Sequence, residues 1–344
     1  RSQVSKQELG EAYAAISVTE GETLARYALA LEDSDASGDV LLTLACFVPE
    51  ALREVHDELV AQERYYPGEL FRGASQAIAE SIIERIAADG EVGSLELNHQ
   101  LVALAWIGGE KVQAQFAKWR SEPPVWRDKL HVPPEEYSHE AGWELDTTGC
   151  RRQLFADECY TLVPSSESTP DIATDVCPWC KNQLAVLFDF DLRDPRLAFL
   201  WLVGTRLRIA ICPNCTDFTT IYTEIDEFGK SRWSEHNQRP AYIGRDGEQP
   251  DAEWLAEVTS AKVLGEARRT PFEAHQYVTD WLDLNASQVG GFPAWVQDAE
   301  HPTCPICHQA MMFVAQFAAS DTDGLIYGFL CSGCGIAATN AQYT

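Results

Sequence analysis

The phrase Cys-Pro-x-Cys stands twice in this chain, each time running into an apolar stretch that ends in Phe: CPWCKNQLAVLFDF from Cys177 and CPICHQAMMFVAQF from Cys304. A second CxxC follows each one, Cys212-x-x-Cys215 after 31 residues and Cys331-x-x-Cys334 after 23. A CxxC knuckle lets two thiolates from one tight turn reach one ion, and two facing knuckles make a tetrahedral cage, the closed geometry of structural zinc. The spacing therefore predicts two structural four-cysteine zinc sites, with Cys177, Cys180, Cys212, Cys215, Cys304, Cys307, Cys331 and Cys334 as ligands. Spacing alone leaves open whether knuckles pair within a copy or across copies. His308, directly after the second knuckle, is read as an exposed turn residue rather than a substitute ligand. Small β units with little core of their own draw folding energy from a bound metal.

The surrounding sequence repeats as well. A shift of 127 residues puts Leu184 on Met311, Leu187 on Val314 and Phe190 on Phe317; a shift of 119 puts Ile211 on Leu330 and Thr220 on Thr339. The shifts differ because the first copy has a longer hairpin connection, DLRDPRLAFLWLVGTR. Short β-rich runs (LAVLFDF, RLRIAIC, FTTIYTEI, MMFVAQF, GLIYGFLC) separated by turn residues complete two zinc-ribbon-like units, at about 170–237 and 287–344.

Upstream the texture is helical. Residues 5–120 carry apolar positions at 3–4 spacing, as in ASQAIAESIIERIAADG with Ile78, Ile82, Ile83 and Ile86 on one face and a stop at Gly90. Thr19 and Glu22 have capping-box spacing, Pro49 breaks one apolar run, and Gly108-Gly109 separates two helices. Short helices with tight turns predict antiparallel helical hairpins of HEAT-like type. Residues 123–155 read as an ordered connection held down by Tyr137 and Trp143, 163–176 as a linker, and 238–254 as a polar loop. The expected fold is α+β: an α-helical repeat-like domain over 1–160 and a duplicated zinc-binding β domain over 161–344.

Eight of the eleven cysteines lie in the CxxC pairs, which argues for metal ligation in a reducing cytosol rather than disulfides, and so for a cytoplasmic protein. Cys46, in LLTLACFV, reads as core. The formal net charge is −27, with −18 on residues 1–176 and −9 on 177–344. Such a field repels nucleic acid and anionic lipid and favours a basic protein partner. No run of about 18 apolar residues offers a membrane span. The expected partner is thus a basic protein, with no nucleic acid, no membrane, and a monomer when free. The candidate partner-binding residues are Asp189, Asp191 and Asp194 of DFDLRD, Glu135 and Glu136 of PPEEY, and Trp295. For the aspartates a solvated face is the plain alternative; strand alternation puts Asp189 and Asp191 on one side, with Asp194 in the turn beyond.

Before the second knuckle stands SQVGGFPAWVQDAEHPTCPIC, and after it MMFVAQF and YGFLCSGCG. This order of Gly-Gly-x-Pro-x-Trp, acidic spacer, CxxC and MxFxxQF resembles the TYPP superfamily, which groups the YwqG-like bacterial proteins with the programmed cell death protein 2 family. Gly290, Gly291, Pro293 and Trp295 match the first motif, and Met311, Phe313 and Gln316 the strand. The resemblance covers about 287–340, reaches 177–225 through the internal repeat, and leaves the helical half unmatched. It implies binding rather than catalysis: eukaryotic relatives look like chaperones for a basic ribosomal protein, and bacterial ones are implicated as immunity proteins of polymorphic toxin systems. The leading expectation is an immunity protein that neutralises a basic toxin domain by direct binding. The alternatives are a chaperone for a basic ribosomal or nucleic-acid-binding client, and an enzyme with an unrecognised site near His236 or His139. Hydrolase, nucleotide-binding and metalloprotease motifs are absent.

Overall fold

A computed structural model describes residues 5–31, 34–88, 93–165, 175–243, 250–319 and 324–344. The chain divides into two compact units, Arg1–Gln153 with Tyr277–Leu284, and Leu154–Gln276 with Asn285–Thr344. The class is α+β, helical in the first half and β-rich in the second.

In the helical unit, α1 (Lys6–Ala15) opens on a capping box: Ser5 accepts from the Glu8 N–H while the Glu8 carboxylate accepts from the Ser5 N–H. The second helix, α2 (Val18–Leu29), repeats the device with Ser17 and Glu20, so the Thr19–Glu22 pair lies inside the helix. Ser17 takes the cap because its backbone is extended while its hydroxyl turns back to the first turn. Then come α3 (Ser34–Phe47), a 3-10 turn at Pro49–Leu52, α4 (His56–Ala61) and α5 (Gln76–Ala88). On α5, Ile78, Ile82 and Ile86 are buried and Ile83 sits at the margin of the stripe; Gly90 lies outside the described residues.

The hairpin of α6 (Ser94–Ile107) and α7 (Gly109–Ser121) turns at Gly108 and Gly109. Packing of α6 against α5, α7 and the 3-10 turns Gly68–Phe71 and Pro134–Ala141 buries its Leu97, Leu101, Leu104, Trp106 and Ile107. The 123–155 segment is ordered, ending in a hairpin of β1 (Trp143–Leu145) and β2 (Arg151–Gln153). Trp143 stacks on Phe116 at 5.8 Å and its Nε1 donates to the Ala105 carbonyl at 2.9 Å, while the Tyr137 hydroxyl donates to Asn98.

The second unit holds β3 (Cys159–Pro164), β4 (Ala185–Asp191), β5 (Arg206–Ile211), β6 (Ile221–Ile225), β7 (Ser231–Trp233), α8 (Ala252–Val258) and β8 (Lys262–Ala267). After α9 (Gln276–Leu282), most of which clusters with the helical unit, come β9 (Gln288–Gly290), β10 (Met312–Ala318), β11 (Gly324–Cys331) and β12 (Ile336–Tyr343). An eight-stranded antiparallel sheet runs β7-β6-β12-β11-β10-β9-β3-β8, and β4-β5 form a separate pair. Because β3 belongs to this sheet, the units divide at Gln153/Leu154, ahead of the expected 160/161. The expected linker begins on the last residues of β3, and 166–174 lie outside the described residues. The polar loop over 238–254 ends in α8, capped by Asp251.

The two hairpins share one register. Ala185 faces Ile211 as Met312 faces Leu330, and Asp191 faces Arg206 as Ala318 faces Leu325. Each first strand carries one bulge, at Leu187 and at Val314. The hairpins bury a common core, with Phe188, Phe190, Leu207 and Ile209 of the first against Val314, Phe317, Ile326 and Leu330 of the second. They part at the next strand: β12 pairs with its own β11, whereas β6 pairs with β12 instead of β5.

Candidate metal centres

The knuckles pair within each copy. Cys177, Cys180, Cys212 and Cys215 form one set and Cys304, Cys307, Cys331 and Cys334 the other, with all Sγ atoms of a set within 4.8 Å of one another. Individual separations are 3.9 Å for Cys177–Cys215, 3.4 Å for Cys180–Cys212 and 3.7 Å for Cys307–Cys331. A tetrahedron with metal–sulfur bonds of about 2.3 Å has edges of about 3.8 Å, so both sets are placed to hold one ion each. With four cysteine donors per set, the geometry is the closed one. In the first set the Cys177 thiol is driven well below its usual range by hydrogen bonds from Cys212 and Cys215, and the Cys212 thiol well above it by the same contact with Cys177. Further thiolates in so small a space require a cation among them.

The backbone that makes each knuckle is the same twice. The N–H of Lys181 donates to the Cys177 carbonyl at 3.0 Å, and that of His308 to the Cys304 carbonyl at 2.9 Å. Cys177 donates back to the Asn182 carbonyl and Cys304 to the Gln309 carbonyl. Lys181 and His308 both take positive φ, 67° and 59°, and His308 is exposed on its turn. At the second knuckles, Cys215 donates to Cys212 and Cys334 to Cys331, both at 3.2 Å.

The Gly-Gly-x-Pro-x-Trp segment lies on one face of the large sheet and is held there by side-chain amides. Gln316 accepts from the Ala294 N–H at 2.8 Å and donates to the Ala286 carbonyl at 2.7 Å. Gln288 donates to the Phe292 carbonyl, the Tyr327 hydroxyl to the Ala294 carbonyl, and Asn340 to the Glu300 carbonyl. Gln342 accepts from Val296 and Gln297 and donates to Asp298. Gly290 and Gly291 have φ of 67° and 71°, and a Cβ on Gly290 would lie 2.0 Å from the Glu158 carbonyl oxygen, so only glycine fits. Trp295 is half-buried against Tyr327, His301 and Phe329, its ring centroid 4.9, 5.1 and 6.1 Å from theirs.

The acidic candidates are scattered and mostly engaged. Asp189 is bridged by Arg206 and Arg208 across the β4–β5 pair, Asp191 by Arg193, and Asp194 by Arg196, whose N–H it also caps. Hydrogen bonds from Arg193 hold the Asp191 carboxyl down to about 2. Glu135 is half-buried, its carboxyl pushed up by burial, and Glu136 is exposed. His139 lies 3.8 Å from Glu144, which Arg152 already bridges. His236 is exposed and its backbone N–H donates to Ser234, while the neighbouring Asn237 serves the Tyr222 backbone. Cys46 and Cys159 are buried thiols pushed up to about 12 by burial, and Cys150 is exposed. Among the described residues, only the two cysteine sets converge as metal-binding groups, and no helix is long and apolar enough to cross a membrane.

Among curated proteins, the chain is 32% identical over 351 residues to the uncharacterized protein YpfL of Salmonella typhimurium, an alignment spanning 97% of this chain and 80% of YpfL. The chain belongs to the YpfL family. At that coverage the likeness to YpfL runs through both units, the helical one as well as the duplicated one. No family model matches the chain, and no solved structure matches it.

Proposed function

We propose that this chain is a zinc-binding interaction protein that neutralises a basic toxin domain by holding it, in the manner of an immunity protein. The observation that carries the reading is the charge: 26 Lys and Arg against 53 Asp and Glu, with an acidic excess in both halves. Such a field speeds encounter with a basic partner and disfavours nucleic acid. Zinc suits two sets of four thiolates in closed tetrahedral geometry, where the ion braces the fold and keeps no open position for substrate. The resemblance of residues 287–340 to the TYPP superfamily supports the same role. Each copy then supplies a metal-braced hairpin, and the protein is a monomer until its client arrives.

The test is affinity capture of the tagged full chain from its native host at moderate salt, with elemental analysis of the purified bait. The expected result is zinc in both sites and one basic protein encoded beside the bait's own gene, released as ionic strength rises. Capture of a ribosomal protein would move the reading to a chaperone. A bait that carries no zinc, or binds nothing at low or moderate salt, overturns it.

A further inference from the structure

The two centres are built alike but covered differently. All four cysteines of the first set are buried. Its knuckle residue Trp179 is 8% exposed and lies edge-on to Trp233 of β7, ring centroids 5.0 Å apart. Ile243, Val186, Ala210 and Ile221 complete the cover. In the second set only Cys304 is buried: Cys307 is exposed, and Cys331 and Cys334 are partly exposed. The residue in Trp179's place is Ile306, 49% exposed. Thiolate chemistry needs an approaching reagent as well as a thiolate, and here backbone, ligand type and ligand count are equal. Cover is what separates the two.

We propose that the second centre is an exchangeable thiolate site, oxidised by peroxides to a Cys307–Cys331 disulfide with loss of its metal, while the first centre stays closed. The inference rests on the metal reading above. The Cys307 thiolate attacks a peroxide oxygen: an S–O bond forms, the O–O bond breaks, and the departing oxygen takes a proton from water. The Cys331 thiolate, its Sγ 3.7 Å away, then attacks that sulfur. An S–S bond of about 2.05 Å forms and hydroxide leaves. In sum two thiolates, one hydrogen peroxide and two protons give one disulfide and two waters, with two electrons passing from sulfur to oxygen. Left with two thiolates, the second cage no longer retains its ion.

The experiment uses the full chain loaded with zinc, hydrogen peroxide as oxidant, a zinc-sensitive dye, and mass spectrometry of the cysteine peptides. About one zinc per chain is expected to leave at least about tenfold faster than the other, with Cys307 joined to Cys331. Cys307→Ser should abolish that disulfide. Trp233→Ala, which uncovers the first knuckle, should quicken the slow release while leaving the fast one unchanged. Release of both ions at one rate, or oxidation of Cys177, Cys180, Cys212 or Cys215 first, overturns the proposal. A chain that takes up fewer than two ions before peroxide is added overturns the metal reading itself.

Discussion

The Phe188 ring fits against the bare backbone of Gly328, where a Cβ would stand 2.9 Å from its Cε2 and 3.1 Å from its Cδ2. In the first hairpin the position equivalent to Gly328 holds Ile209, so the two copies differ at the point where they meet. Gly328→Ala should cost about 1–3 kcal/mol through overpacking. Urea unfolding would measure this, and Phe188→Leu in the same chain should recover part of the loss. Strictly additive losses would show that the two residues do not share this contact.

Gln316 spans the sheet and the segment laid over it. Replacing it with Leu removes the acceptor for Ala294 N–H and the donor to Ala286 C=O, leaving two backbone groups unpaired. A loss of about 2–4 kcal/mol is expected: a stranded buried group costs roughly 1–3, and the part-buried Ala286 carbonyl adds the lower end of that range. A change in urea midpoint below a few tenths molar would count against this clamp.

Lys262 is buried, donates to the carbonyls of Leu187, Val258 and Ser260, and lies 4.1 Å over the Phe317 ring. The Leu187 carbonyl belongs to the bulge residue of β4. Burial pushes the amine from 10.5 down to about 7. The unfolded chain therefore binds more protons between those values, and stability rises with pH across that window. Relative to Lys262→Met, the wild-type chain should gain about 2 kcal/mol between pH 7 and pH 9. Parallel stability curves for the two would mean that the ammonium survives burial, held by its three carbonyls.

Stripping the metals with a strong chelator should unfold the β-rich unit first, because both cysteine sets lie within it and none in the helical unit. The helical ellipticity at 222 nm should largely persist while only part of the near-ultraviolet signal is lost, since five of the ten tryptophans lie in the helical unit. Simultaneous loss of both signals would mean that the two units unfold as one.

The legible parts of this fold were local. CxxC spacing announces the ligands, and short β-rich runs between turn residues announce β4, β5, β10 and β11; the alignment that sets Leu187 on Val314 pairs the two residues at which the strands bulge. Pairing of knuckles within a copy was not legible, because either pairing satisfies the same spacing. Nor was the cover that Trp233 gives Trp179 across 54 positions of chain, or the return of Tyr277–Leu284 to the helical unit. Such contacts are long-range, and no short period encodes them. The α2 cap lies two residues ahead of Thr19 because Ser17–Glu20 and Thr19–Glu22 carry the same spacing, and only the extended backbone at Ser17 separates them. The 3-10 turns at Gly68–Phe71 and Pro134–Ala141 left no helical stripe to read.

The pairing of β6 with β12 has a consequence for descent. A strand from the first copy finds its ladder partner in the second, with Tyr222 opposite Ala338 and Thr223 opposite Ala337. The two copies therefore complete one sheet between them, and neither closes it alone. A recombination joint set between the copies would leave β6 without its neighbour, and any descendant carrying a single copy would have to rebuild that edge before it could fold the same way.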